Sequence, residues 1–457
     1  MSTDAPAPNG LPPGQIDWSR PTRFALIACI AGFALYAIVG VVNLGIDSEY
    51  GMTSFISAFL AGWVFWVSFP IGATALLMVH YLAKTSWGVL LKRSFEACMR
   101  TFPLMIVLFI PLAAAALLQG GDHPLYWWTS PETVEDQHAE APPPVEGDAQ
   151  LQAYGEKLAQ RREASNKQVE HFVKEEREDH EKGNLHFLSP VAYVILSVVY
   201  FCIWGVFAFF FLKWAQDMED DPNKVESRLE KLKNISGPGL VIHAIVLTAA
   251  ASHWIMSLQP GWASTMFPVI VLIHQFLATL CLSVMVFLYL SNRSPFREVM
   301  RPKFQLDMGS MMLAFTLFWS YTSFSQLMLI WIGNLPEEIP FYLKRSGKDG
   351  WWWVSAALIL FHFACPFLLL LFRDIKLHPV RLRIMAMYLL AICAVDVVWW
   401  VEPSFPHHSP VFILMDIGAI AGIGGLFWLV YLNKLKSRPL LPKNELFWLP
   451  EGHHEQH

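Results

Sequence analysis

Residues 263–290 read ASTMFPVIVLIHQFLATLCLSVMVFLYL and contain no Asp, Glu, Lys or Arg. A helix of about 20 apolar residues crosses roughly 30 Å of hydrocarbon, so this stretch predicts a membrane-spanning helix. Comparable runs recur along the chain, and no segment alternates in the manner of lipid-facing strands. The sequence therefore predicts an all-α polytopic membrane protein with about ten transmembrane helices. They cover residues 23–46, 55–82, 101–118, 190–212, 238–258, 263–290, 308–333, 351–372, 380–400 and 411–432.

Composition and charge agree with this prediction. Of the 457 residues, 54% are hydrophobic and 16% are charged, a balance unsuited to a soluble chain of this length. Lys and Arg cluster in alternate connections, whereas 47–54, 259–262 and 401–410 contain none. With an even number of spans, the positive-inside rule predicts that both termini lie in the cytoplasm. The polar N-terminal residues lack a basic segment and a cleavage site, so no cleaved signal peptide is expected.

The predicted spans divide the chain into five segments. The one long insertion, residues 119–188, becomes rich in Glu, Lys and Arg, which favours a solvated helix. Its narrow apolar stripe would also suit docking on a partner subunit. The segments are a cytoplasmic N-terminal tail (1–22), transmembrane helices 1–3 (23–118), a periplasmic insertion with a charged helix (119–188), transmembrane helices 4–10 (189–433) and a cytoplasmic C-terminal tail (434–457).

Cysteine and histidine spacing predicts no metal site in this chain. The six cysteines are scattered singly, without the Cys-x-x-Cys spacing of iron–sulfur ligands or the Cys-x-x-Cys-His of covalently attached haem. The histidines of the insertion are irregularly spaced. A net charge of −5 and the lack of a basic patch give no reason to expect nucleic-acid binding. The cysteines are Cys29, Cys98, Cys202, Cys281, Cys365 and Cys393.

Ionisable residues inside the predicted spans are the candidates for chemistry, because each is costly in a membrane and needs a partner, water or a purpose. Ordered by their depth in the membrane, these residues form an interrupted series. A proton path requires titratable groups at successive depths of this kind. Asp396 and Asp416 are the main candidates, since a buried carboxyl group must be paired, hydrogen-bonded or protonated. For His80 and His243, a neutral structural histidine is the favoured interpretation. The proton-path candidates are Asp396, Asp416, His253, His274 and His362.

Two cofactor alternatives depend on the same residues. His274 and His362 are one possible bis-histidine pair for b-type haem, but a second parallel pair is missing, which argues against haem. A quinol site needs a proton acceptor beside an apolar slot, and His253 with Trp254, or Asp396, has that chemistry. Tryptophans at the membrane interface produce similar clusters without binding a quinone.

Two longer segments carry a resemblance to a known family. Residues 252–265, SHWIMSLQPGWAST, resemble the signature D-W-I-M-S-L-D-P-x-W-x-S-T, and 318–342, FWSYTSFSQLMLIWIGNLPEEIPFY, resemble FW-x-Y-x-x-FSQ-x-x-LIW-x-x-N-x-PEE. Both signatures are typical of the ActF-type membrane subunit of bacterial alternative complex III, a quinol:cytochrome c oxidoreductase. The resemblance covers roughly residues 190–445. His253 and Gln259 stand where the family has acidic residues.

The resemblance implies an NrfD/PsrC-like fold, a pair of four-helix bundles with flanking helices, in the bacterial inner membrane. It implies a scaffold and proton-translocating half-channel with no catalytic residue and no redox cofactor of its own, and quinone binding is a further property that the resemblance suggests. Iron–sulfur clusters and haem are expected on partner subunits. Those partners are a paralogous quinol-oxidising membrane subunit, an iron–sulfur subunit and c-type cytochromes, beside membrane lipid and the quinone pool.

Two other functions stay open from the residues alone. One is a standalone secondary transporter, for which Pro268 and Pro366 would be helix breaks, although no matched repeat is found. The other is an NrfD-like anchor that oxidises quinol directly. Glu337 and Glu338 follow a proline in a predicted surface loop and are expected to be loop anchors or partner contacts.

Overall fold

Every regular element in the described part of the chain is a helix, which confirms the all-α prediction. Ten helical segments are long and apolar enough to cross a membrane, so the protein is a multi-pass membrane protein. The computed structural model describes residues 16–47, 50–118, 124–129, 187–294, 296–335, 338–346, 350–405, 411–442 and 445, together with several single positions between 160 and 174.

The ten spanning segments are α1 (Ser19–Ile46), α2 (Gly51–Ala83), α3 (Ser86–Leu118), α4 (Pro190–Asp220), α5 (Pro222–Leu258), α6 (Phe267–Leu290), α7 (Pro302–Gly333), α8 (Trp351–Leu371), α9 (Pro379–Ser404) and α10 (Phe412–Lys436). Eight of the ten are longer than the apolar runs that predicted them, because they extend into polar sequence, whereas α6 and α8 are slightly shorter. Among the described residues, three short α-helices lie between the spanning segments, at Phe296–Val299, Pro340–Arg345 and Arg373–Leu377, together with a 3₁₀ helix at Trp127–Thr129.

The spans form two four-helix bundles. Segments α2 to α5 pack together, and so do α6 to α9. Of the apolar 18-residue stretch in each helix, 83% of the residues are buried inside the protein in α2 and 78% in α6, but only 22% in α8. The segments α2 and α6 are therefore central, and α8 is at the periphery, where its apolar side chains face the lipid.

The first and last spans pack against each other beside these bundles. Glycines on α10 permit the close approach: a methyl group at Gly418 would lie 2.7 Å from the backbone nitrogen of Tyr36, and one at Gly422 would lie 2.9 Å from the ring of Phe33. Small residues let membrane helices approach in this way. The Gly418-x-x-x-Gly422 spacing thus belongs to the contact between α1 and α10.

The two faces of the helix array differ in charge. One face carries the Lys- and Arg-rich connections 293–303 and 373–383, and is called the basic face. Residues 259–262 and the short helix Pro340–Arg345 lie on the opposite face. Lys92 and Arg93 belong to the N-terminal half of α3, where both side chains are buried, whereas their charges predicted a loop.

Candidate functional site

The candidate site begins at a local widening of α8. Residues Ile359–Ala364 form a π-helix that carries His362. In a regular α-helix the ring of Pro366 would clash with the carbonyl group of His362, four residues earlier, and the wider turn relieves this clash. Such turns are rare and are frequently found at functional sites. Although α8 is peripheral, the imidazole of His362 points inward and is fully buried.

Three helices bring nitrogen atoms to one oxygen of Asp396. The Nδ1 atom of His274 in α6 lies 3.2 Å from Asp396 Oδ2, and Nδ1 of His362 lies 3.8 Å from the same oxygen. The indole Nε1 of Trp319 in α7 donates a hydrogen bond of 2.9 Å to it. We call His274, Asp396 and His362 the triad. The structure thus joins three of the sequence-predicted proton-path residues.

Aromatic rings and a thiol enclose the triad. The imidazole of His362 stacks on Trp319 with ring centroids 3.8 Å apart, and its Nε2 lies 3.9 Å from the thiol of Cys393. The imidazole of His274 lies 4.7 Å from the ring of Trp400. All of these side chains are buried. The site is therefore a small polar cluster inside an apolar bundle.

The electrostatics of the triad favour exchange of protons. Among the described residues, no Lys or Arg lies within 4 Å of the Asp396 carboxylate. Its Oδ1 and the Nε2 of His274 have no hydrogen-bond partner in the described part of the chain. A carboxyl group beside two imidazoles offers a proton more than one place to reside. The two free atoms are positions where water or a proton can enter or leave.

Asp416, another predicted residue, belongs to a different cluster. Its side chain lies close enough to that of Glu402 for the two carboxyl groups to interact, and Glu402 lies in the 3₁₀ turn at the end of α9. The hydroxyl group of Ser57 in α2 donates to Glu402 Oε2 at 3.1 Å. Both acids are buried near the opposite face. Sequence reasoning did not join Glu402 to Asp416, although Glu402 lies six residues after Asp396 on the same segment.

His253 lies in the other bundle, in an aromatic setting. Its Nδ1 is 2.9 Å from the hydroxyl group of Tyr200, its Nε2 is 2.7 Å from the carbonyl oxygen of Phe187, and its ring stacks on Phe187 at 3.8 Å. The neutral tautomer with hydrogen on Nε2 satisfies both contacts. Trp254 donates to Ser197 at 3.0 Å. The quinone candidates His253 and Trp254 are therefore in the bundle of α2 to α5, whereas Asp396 is in that of α6 to α9.

The two remaining histidines of the spans have side-chain partners. The Nδ1 atom of His243 accepts a hydrogen bond of 3.2 Å from Trp204, and Nδ1 of His80 lies 3.0 Å from the Thr85 hydroxyl oxygen. Glu337 and most of the 119–188 insertion lie outside the described residues. The backbone nitrogen of Glu338 donates to the carbonyl oxygen of Leu335 at 3.1 Å.

A buried charge cluster on the basic face was not predicted. Lys92 in α3 forms an ion pair with Glu445 of the C-terminal segment, and Nε2 of His80 lies 3.9 Å from the same carboxylate. Arg93 pairs with Glu96 at 2.7 Å. Burial alone would raise the pKa of Glu445, but Lys92 and His80 outweigh it and lower the pKa to about 2. This cluster attaches Glu445 to the bundle of α2 to α5.

Comparisons with known proteins give no name to this arrangement. No protein family matches the chain, and no curated protein matches its sequence. Within the described residues, no group of three or more His, Cys, Asp or Glu side chains has a geometry that could hold a metal ion.

Proposed function

We propose that the chain is a membrane subunit of a quinol:cytochrome c oxidoreductase of the alternative complex III type, in which it provides a scaffold and a proton half-channel. The two sequence signatures support the family, and the triad supports the proton role. The observation that carries the proposal is that two imidazoles and an indole meet one carboxylate oxygen inside the membrane-spanning region. Intramembrane groups of this kind are typical of proton relays.

The triad suggests how a proton would be held and passed. When Asp396 is ionised, the N–H of Trp319 and one imidazole N–H stabilise its Oδ2. When a proton arrives, it can reside on either imidazole or on the carboxyl group. His274 and His362 come from different helices, so transfer between them moves the proton across the bundle by way of the carboxylate. Redox chemistry is left to partner subunits with iron–sulfur clusters and haem.

In this proposal the protein lies in the bacterial inner membrane with the basic face in the cytoplasm. His274 is about two helical turns from the start of α6 on the opposite face, so the triad is nearer the periplasmic side. A proton leaving the triad would therefore have the shorter distance to travel outward. Among the described residues, His253 and Asp396 lie in different bundles, so the proposal places no quinone ring between them.

The test is Asp396→Asn in the assembled complex. Asn keeps the shape of the side chain and can still accept the Trp319 hydrogen bond, but it does not titrate. We expect the number of protons released per quinol oxidised to fall several-fold, measured with an external pH-sensitive dye and sealed vesicles. Asp307→Asn, the same change at a half-buried position of α7, is the matched control. Full proton release in Asp396→Asn would contradict the relay role.

The identity of the complex needs a separate experiment. Mild solubilisation and affinity purification of the full chain should co-purify subunits that show haem absorbance and iron–sulfur signals in electron paramagnetic resonance. A chain that purifies alone as a stable oligomer would instead support the standalone transporter. Haem-bearing partners, combined with unchanged proton release in Asp396→Asn, would leave the scaffold role and remove the half-channel.

A further inference from the structure

Three arginines gather on the basic face beside Glu219, near the end of α4. Arg93 in α3 pairs with the Glu219 carboxylate, and Nη1 of Arg438, which follows α10, lies 3.7 Å from that carboxylate. Arg100, seven residues after Arg93 in α3, interacts electrostatically with all three of these residues. We call Arg93, Arg100 and Arg438 the arginine cluster.

Each arginine of the cluster has a guanidinium nitrogen that lacks an acceptor. The atoms Nε of Arg93, Nη2 of Arg100 and Nη1 of Arg438 are buried and make no hydrogen bond within the described part of the chain. Buried donors are nearly always satisfied, and an exception calls for an ion, a ligand or a water molecule. Three such donors in one cluster indicate an oxygen-rich acceptor that the arginines share.

The cluster also carries a surplus of positive charge. Among the described residues, no carboxylate lies within ion-pair distance of the Arg100 side chain. The acids nearby are engaged by other arginines: Glu96 pairs with Arg93 at 2.7 Å, and Glu219 with Arg93 and Arg438. Two acids therefore face three arginines, so an acceptor that completes the cluster should be negatively charged.

The surroundings of the cluster are those of a membrane interface. Arg438 hydrogen-bonds the side chain of Gln216 in α4. Trp214 and the exposed Lys213 lie next to Gln216 on this helix, and such residues are typical of the interface on the cytoplasmic side. Apolar surface begins one turn further into the membrane, where Phe209 is 58% exposed and its ring centroid lies 5.7 Å from Nζ of Lys213. An acyl chain can lie on this surface while its headgroup contacts the arginines.

We propose that the arginine cluster binds the phosphate group of an anionic phospholipid in the leaflet on the basic face. A phosphate supplies negative charge and several oxygen acceptors, and the planar fork of arginine matches its geometry. Basic pockets between membrane helices recognise lipid headgroups in this way. A headgroup without net charge would leave the surplus charge of Arg100 uncompensated, so the site selects anionic lipid. The site is separate from the triad and does not rest on the proposed function.

The ligand can reach the cluster from the lipid side. Arg100 is partly exposed, and the side chain of Arg438 is 16% exposed. The bound phosphate would connect α3 with the segment after α10, and through Glu219 with the end of α4. The lipid would therefore act as a structural ligand of the first bundle.

The test measures lipid binding to the full-length chain, together with any subunits that purify with it, by native mass spectrometry. The protein is washed free of lipid in detergent and titrated with dioleoyl phosphatidylglycerol or with dioleoyl phosphatidylcholine, which has the same acyl chains and no net charge. We expect phosphatidylglycerol to bind about tenfold more tightly, the equivalent of one hydrogen bond to a charged group. Equal affinity for the two lipids would overturn the inference.

Substitutions at Arg100 identify the site. Arg100→Gln removes the surplus charge and should weaken binding of phosphatidylglycerol about tenfold. Arg297→Gln is the matched control, because it removes an exposed arginine of the same face outside the cluster, and it should leave the affinity unchanged. An Arg100→Gln protein that binds as tightly as the control would contradict the proposal.

A second variant keeps the test decisive if Arg100→Gln does not accumulate. Arg100→Lys keeps the charge and loses the planar fork, so it should bind phosphatidylglycerol more weakly than the unmodified protein does. Unchanged affinity in Arg100→Lys would mean that the guanidinium does not contact the phosphate.

A competition experiment distinguishes a lipid headgroup from a soluble phosphate. A large molar excess of inorganic phosphate should not displace phosphatidylglycerol, because the acyl chains contribute to binding on the apolar surface of α4. Complete displacement would assign the cluster to a soluble phosphate and overturn the assignment to lipid.

Discussion

At the scale of single residues, the hydrogen-bond and ion-pair partners of the Asp396 carboxylate among the described residues all approach it through nitrogen atoms. Two imidazoles and an indole approach its Oδ2, and the cluster is closed off by aromatic rings. The cost of ionisable groups in a membrane made Asp396, His274 and His362 predictable from sequence. Trp319 was not, because a tryptophan in an apolar run usually serves packing. Trp319 differs from a packing tryptophan only because its indole N–H donates to Asp396. The direction of that N–H depends on the fold and cannot be read from the sequence.

The indole of Trp319 is open to a direct test. Trp319→Phe removes the donor to Asp396 and leaves the ring that stacks on His362. Loss of a hydrogen bond that leaves a buried acceptor under-satisfied costs roughly 1–3 kcal/mol. We expect Trp319→Phe to lower the free energy of unfolding by about that amount, measured by denaturant titration in detergent micelles.

Trp331→Phe is the matched control for Trp319→Phe, because Trp331 lies on the same helix and is 63% exposed. Its substitution should leave stability nearly unchanged. Equal destabilisation by the two substitutions would mean that the Trp319–Asp396 hydrogen bond contributes nothing beyond ring packing.

At the scale of elements, the spans were predictable and their irregularities were not. Hydropathy detects a run of apolar residues, so it located all ten spans. It does not detect hydrogen-bond register, so the π-helix Ile359–Ala364 was missed, and Pro366 was weighed only as a transporter-like break. The start of α3 was missed for another reason. Lys92 and Arg93 interrupt the apolar run, and only one of their acidic partners, Glu96, is near in sequence, whereas Glu445 and Glu219 are far away.

The π-helix can be tested by removing its cause. Pro366→Ala restores a backbone N–H and relieves the clash, so α8 can become regular and turn His362 away from Asp396. We expect proton release per quinol to fall as in Asp396→Asn, while the assembled complex is retained. The measurement is the same external-dye assay.

Pro268→Ala is the matched control for the π-helix. Pro268 lies in the first turn of α6, where proline lacks only a hydrogen bond that a helix start does not make. Proton release should be unaffected there. A Pro366→Ala protein with normal release would show that the π-helix is not needed to place His362.

At the scale of the whole molecule, the two four-helix bundles were expected only from the family resemblance, and the glycines of α10 indicated a packing face without identifying α1 as its partner. The attachment of the C-terminal segment was not predicted. Glu445 and Lys92 are separated by 353 residues, and no sequence pattern around either residue predicts that they form an ion pair. Both side chains are about 1% exposed. A buried pair of this kind is strongly destabilised when one partner is lost, because the other charge remains buried.

The ion pair makes stability depend on pH in a defined direction. The pKa of Glu445 falls from an ordinary value of 4.5 to about 2 in the folded protein. Because the folded state binds the proton less tightly, the pair contributes its full stability above about pH 4.5 and loses it as the pH falls toward 2. The shift corresponds to about 3 kcal/mol, since one pKa unit is about 1.4 kcal/mol.

Glu445→Gln should therefore lower the free energy of unfolding by about 3 kcal/mol at pH 7. The difference from the unmodified protein should shrink between pH 4.5 and 2, because Glu445 becomes protonated in the unfolded chain over this range while it is still ionised in the folded protein. Denaturant titrations across this pH range measure both effects. Glu163→Gln breaks a solvent-exposed ion pair with Lys167 and should change nothing. If Glu445→Gln matches that control at pH 7, Glu445 does not hold the C-terminal segment against the first bundle.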